Sequence, residues 1–152
     1  MIEGSTYLLK QTALTAAITS RIPLTPAEYA LMAEETFDLD TSGKPRSAPK
    51  FLRLADNLKF TVECVNRVFR TELKLDVAGS SWSDFKTAVE IRNRITHPKS
   101  AADFEVSEAE VSCCRRMSEE LFYELISSMV TAISEKIAPR GSPGGKHEPD
   151  TP

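Results

Sequence analysis

Residues 81–99 read SWSDFKTAVEIRNRITHPK, one helix bracketed by its own start and stop signals. Ser81 is placed as the N-cap with Asp84 three residues on, where side-chain oxygens meet free amides and the positive end of the helix dipole. Pro98 closes the segment by pushing the residue before it out of the α region, so His97 is expected on the loosened last turn. At about 100° per residue, Phe85, Ala88, Val89 and Thr96 share a face, with Trp82 and Ile95 at its margins and Arg92 in its middle. An amphipathic helix fills such a position with Leu or Ile. An arginine there needs a carboxylate, a partner subunit or a bound anion, because an unpaired buried charge is costly. Such a break in pattern marks a candidate functional site. Asn93 and His97 are four apart and share a neighbouring face, whereas Arg92 and His97 lie about 140° apart. Those two meet around one ligand only across the helix end or with help from a second subunit.

The flanks are helical as well. Upstream, Phe51, Leu52, Ala55, Leu58, Val62, Val65, Val68 or Phe69, and Leu73 form a stripe that predicts a long helix from Pro49 to about Leu73, the spine of a bundle. The short turn Asp76–Ser80 makes the spine and the 81–99 helix antiparallel neighbours, with Glu63 and Asn66 near its far end. Downstream, Ser100–Val106 reads as a loop. Ser107 then caps a last helix, with Glu110 at its third position, running to about Ile137 on a stripe of Val111, Cys114, Met117 or Ser118, Leu121, Phe122, Leu125, Met129, Ile133 and Ile137. The chain opens with a helix from Ile2 to Ser20 marked by Tyr7, Leu8, Ala13 or Leu14, and Ile18. A second starts at the cap Thr25, with Pro26 and Glu28 behind it, and extends to about Asp38. DTSGKPRS, residues 40–47, is a loop by its turn formers. No stretch alternates as a strand. The fold class is therefore all-α, an up-and-down bundle of about five helices over residues 1–137. The tail 138–152, APRGSPGGKHEPDTP, has no apolar period and is expected to be disordered, with an inert His147.

The 152 residues suit one domain with a real core. A net charge of −3 does not suit a coat for nucleic acid, so any RNA contact must be local. The charge is uneven: Lys86, Arg92, Arg94 and Lys99 face only Glu90 between residues 86 and 99, while acids dominate residues 103–124. Three cysteines, Cys64, Cys113 and Cys114, form no C-x-x-C pair and no second histidine lies in the folded region, which argues against a metal site. They read as buried or half-buried thiols in a reducing cytoplasm. No run of about eighteen apolar residues and no basic leader before an apolar run occurs, so neither a membrane span nor export is expected. No Gly-rich phosphate loop, carboxylate cluster or activated serine or cysteine context is present, and no cofactor is implied.

One histidine and its arginines are left to carry chemistry. Histidine moves protons near neutral pH, and a guanidinium holds a phosphate and the charge growing on it. RNA supplies its own nucleophile, the 2′-hydroxyl, so such groups suffice to cleave it without metal and leave a 2′,3′-cyclic phosphate. The reaction works best with both an acid and a base. A two-fold dimer with facing 81–99 helices would bring two copies of His97 and Arg92 into one cleft.

Arg92, Asn93 and His97, in RNRITH at a helix end before Pro98, resemble the R-N-x-x-x-H motif of HEPN domains. These are all-helical domains, many of them metal-independent ribonucleases of toxin-antitoxin and antiviral systems. The helical pattern matches over roughly Ile2 to Ile137, while only the motif is residue-specific. The resemblance implies the same homodimer through the motif helix. It also implies that His97 is the acid/base, Arg92 stabilises the phosphate, and Asn93 orients the histidine or the ribose. A neutralising antitoxin or regulatory partner is the implied protein ligand. Arg94 is read as a solvated charge, Lys99 as a contact to the RNA backbone or a helix-end cation. The alternative reading is a catalytically inactive HEPN-like module for dimerisation, nucleotide binding or regulation.

Overall fold

A computed structural model of the chain describes residues 2–137. The expected tail 138–152, with His147, lies outside the described residues. In chain order the elements are α1 (Ile2–Thr19), α2 (Pro26–Ala33), β1 (Glu35–Leu39), β2 (Pro45–Pro49), α3 (Leu54–Phe69), α4 (Ser80–Thr96), a 3₁₀ turn (Ala101–Phe104), α5 (Glu108–Arg116), a π-helical segment (Met117–Tyr123) and α6 (Glu124–Ile137). The last three run on without a break, so five helical rods make a mostly α bundle.

Where the signals are local, the elements follow them. Thr25 caps α2 through a reciprocal box with Glu28, and Pro26 occupies the first turn, where a missing N–H costs nothing. Ser107 and Glu110 form the same box at α5. Ser107→Ala should therefore lower stability by about 1 kcal/mol, read as a shift in the urea midpoint with an unchanged m-value.

Two expectations are corrected between residues 34 and 49. The second helix stops at Ala33, because Glu34 turns left-handed (φ 55°) and its N–H closes the end on Ala30 and Leu31. Glu35–Leu39 then pairs antiparallel with Pro45–Pro49, Phe37 lying opposite Ser47, so a strand pair stands where helix and loop were expected. Asp40 makes the turn by accepting from Ser42 and Lys44, and Gly43 supplies the positive φ of 76°.

The core forms where α1, α3, α4 and α6 bury Ala13, Ala17, Leu58, Val62, Val65, Phe69, Phe85, Met129 and Ile133, with Met32 added from α2. Ala13 and Ala17 let α1 approach α3 closely, and the buried row of α1 is Thr6, Leu9, Lys10, Ala13, Leu14 and Ala17. Tyr7, Leu8 and Ile18, read as its apolar stripe, are exposed. Lys10 is fully buried among Glu34 Oε1 at 2.5 Å, Asn57 Oδ1 at 2.7 Å and the Leu31 carbonyl at 3.5 Å.

The spine, α3, is shorter than expected at both ends, and Phe51 stands 95% exposed ahead of it. Asn66 folds the chain after α3 by bonding Thr71 and Leu73. The motif helix α4 packs chiefly on α5, the π segment and the 3₁₀ turn. It touches α3 where Lys59 Nζ sits 5.2 Å over the Trp82 ring. In the last rod, Val111 is exposed and Cys113, rather than Cys114, is buried, while Leu125, Met129 and Ile133 are buried as the stripe predicts. The wider π turn between these two sets re-phases the apolar stripe. Among the described residues no helix is long and apolar enough to cross a membrane.

Candidate functional site

The buried row of α4 is Trp82, Phe85, Ala88 and Ile91, an i, i+3 series that winds away from the face expected from sequence. Trp82 and Phe85 rings stack at 4.9 Å and key this row into the core. The N-cap is Gly79 rather than Ser81, and Ser81 instead donates to Glu120 at 3.3 Å. Asp84 is engaged by Arg116 of α5, which holds its carboxyl below the usual range.

Because the core row ends on Ile91, Arg92 lies 100° further round and is exposed rather than buried. Its Nη2 meets both carboxylate oxygens of Glu3 at 3.0 and 3.2 Å, and its Nη1 donates to Asn93 Oδ1 at 3.0 Å. Glu63, the acid that α3 offers near this helix, is exposed, and the carboxylate that meets Arg92 is Glu3 of α1. Arg92 and Glu3 border a largely apolar cleft of about 300 Å³, walled by Leu54, Ala88, Val89, Met117 and Phe122.

His97 is the C-cap of α4, with φ −130° and ψ 58°, as Pro98 requires; its N–H still reaches the Asn93 carbonyl at 3.0 Å. The imidazole is exposed and has no hydrogen-bond partner among the described residues. Asn93, Arg94, His97, Lys99 and Asp103 line one open groove at this helix end. The fold thus brings Asn93, His97 and Lys99 together, and connects Arg92 to them through Asn93. Arg92 itself faces the neighbouring cleft, so one copy does not set Arg92 and His97 around a common point.

Arg94 is not the solvated charge expected. It is half-buried and ties the segment after the motif, donating to the carbonyls of Asp103 (3.3 Å) and Glu105 (2.7 Å) and to Glu110 Oε1 (2.7 Å). Asp103 completes the clamp by accepting the N–H groups of Lys99 (2.6 Å) and Ser100 (2.8 Å). Sequence spacing hides this clamp, since its partners lie three to sixteen residues apart across a turn of irregular backbone. The basic island is correspondingly smaller than its charge count: Glu3 and Glu110 pair two of its four bases. Lys86 and Lys99 make no ion pair among the described residues.

Backbone N–H donors hold the Asp103 carboxyl below its ordinary range. A group so depressed stabilises its loop above the ordinary carboxylate pKa, and the contribution fades as pH falls through the lowered value. The amide resonances of Lys99 and Ser100 should therefore show an acid step displaced below the usual aspartate range. Asp103→Asn should remove that acid step.

The cysteines sit apart from the groove. Burial pushes the Cys64 thiol up to about 12, and burial together with Asp84 raises Cys113, so neither is a thiolate near neutral pH. Compared with family models, curated proteins and solved structures, the chain shows no significant match to any of them.

Proposed function

We propose that this chain is a metal-independent endoribonuclease of HEPN type, acting in a cleft shared by two copies. The carrying observation is the end of α4, where Asn93, His97 and Lys99 border one open groove and Asn93 holds the guanidinium of Arg92. An exposed imidazole at a helix end is available to a substrate and sits beside a cation that can attract phosphate.

In the reaction, His97 of one copy takes the proton of a ribose 2′-hydroxyl. The 2′-oxygen attacks the adjacent phosphorus, the bond from phosphorus to the 5′-oxygen breaks, and His97 of the second copy protonates that leaving oxygen. The products are a 2′,3′-cyclic phosphate and a 5′-hydroxyl end. Arg92, released from Glu3, stabilises the charge on the phosphoryl oxygens, and Asn93 orients histidine or ribose. The shared cleft answers the separation of Arg92 from His97 within a copy, because the second copy supplies the missing half. The setting is a cytoplasmic toxin-antitoxin or antiviral system with an antitoxin or regulatory partner.

One observation favours a second reading, an inactive module for dimerisation, nucleotide binding or regulation: both Arg92 contacts are already satisfied within the chain. Growth distinguishes the two readings. Expression of the wild type should arrest growth and His97→Ala should relieve the arrest at matched protein level. Equal tolerance of both proteins would favour the inactive module.

A further inference from the structure

The β1–β2 hairpin lies outside the candidate site and carries its own pattern. Its ladder is framed by Lys50 N–H on the Glu34 carbonyl at 2.7 Å and Asp40 N–H on the Lys44 carbonyl at 2.9 Å. Antiparallel bonding alternates, so the even residues of both strands bond inward and the odd ones turn their backbone groups out. On β2 the outward residues are Pro45, Ser47 and Pro49, so that edge lacks two of its three donors. On β1 they are Glu35, Phe37 and Leu39, none of them proline. One edge is blocked and the other is open. Phe37 and Leu39 stand on one face of the open strand, 59% and 61% exposed.

We propose that β1 is a pairing edge for β1 of a second copy, joined antiparallel about a two-fold axis through Phe37. The register follows from the outward residues. Centred on Phe37, the pairing sets Phe37 against its own copy in a bonded pair, Glu35 against Leu39, and Thr36 against Asp38. Aromatic meets aromatic, and no like charges lie directly opposite. Centring on Asp38 would oppose two carboxylates instead. Asp38 also has Arg46 beside it in its own hairpin at 3.9 Å, so its face brings a matched charge. The Leu39 N–H, held by the Asp38 carboxylate at 2.8 Å, exchanges that acceptor for the Glu35 carbonyl of the second copy. Because the proline edge of β2 cannot extend the sheet, pairing through β1 stops at four strands and joins only two copies. The proposal is independent of the ribonuclease reading and of any dimer through α4.

The test compares the solution mass of wild type and Phe37→Pro by sedimentation. Proline at 37 removes an outward N–H and no bond of the hairpin itself, so the helices should keep their circular dichroism. The expected result is a halved mass for Phe37→Pro, whether the wild type is a dimer or a dimer of α4-joined pairs. A monomeric wild type, or equal masses for both proteins, would overturn the proposal. A second measurement guards against a Phe37→Pro chain that fails to fold. Phe37→Cys in a Cys114→Ser background, treated with a short bis-maleimide, should give a cross-linked band of twice the chain mass. Absence of that band would overturn the proposal equally.

Discussion

His97→Ala is expected to reduce RNA cleavage by about 10²–10⁴-fold, the range that a positioned general acid or base contributes. In the proposed shared cleft copies of the same residue would take both roles, so one substitution removes acid and base together and the loss should fall at the upper end. The fold should not register the change. His97 is exposed, and the bond that caps α4 comes from its backbone N–H, which alanine keeps. Single-turnover rates on a labelled RNA, with unfolding midpoints on the same samples, test both halves of the expectation. A loss of activity accompanied by a comparable loss of stability would make His97 a structural residue.

The second large effect lies in the core. Glu34→Gln should destabilise the protein by about 3 kcal/mol, because it leaves the fully buried Lys10 ammonium with only neutral acceptors, Asn57 Oδ1 and the Leu31 carbonyl. Lys10→Met should cost less, about 1–2 kcal/mol. The Glu34 side chain is 28% exposed, so its carboxylate reaches water and still accepts from Asn57 Nδ2 at 3.2 Å. Removing the anion thus costs more than removing the cation, an order that urea midpoints at constant m-value measure directly. Equal losses would mean that Lys10 gains water when Glu34 is neutralised. The network also pins the base of the hairpin, since the Glu34 carbonyl accepts from Lys50 at 2.7 Å.

These two sites show what a linear reading reaches and where it stops. His97 at a helix end was legible because Pro98 acts on its immediate neighbour, and the Thr25 and Ser107 caps because each box spans three residues. The α3 stripe was legible because Leu58, Val62 and Val65 keep their period, and the all-α bundle follows from such stripes. Lys10 was not, since its partners lie 24 and 47 residues away and a lysine on a helix is ordinarily solvated. A strict helical wheel places Arg92 on a buried face, whereas the i, i+3 row through Ile91 turns it outward. The hairpin is hidden in the sequence because ETFDL is five residues long and its two acids read as the end of an amphipathic helix. Nothing in the spacing of MSEELFY signals the π turn whose Met117 and Phe122 line the cleft beside Arg92.

The central claim, that histidine and arginine chemistry cleaves RNA here without metal, is tested most directly by product ends. Purified wild-type protein incubated with labelled RNA in EDTA should yield 2′,3′-cyclic phosphate and 5′-hydroxyl ends, and His97→Ala should leave the RNA whole. Intact RNA with the wild type, or 5′-phosphate ends from attack by water, would contradict it.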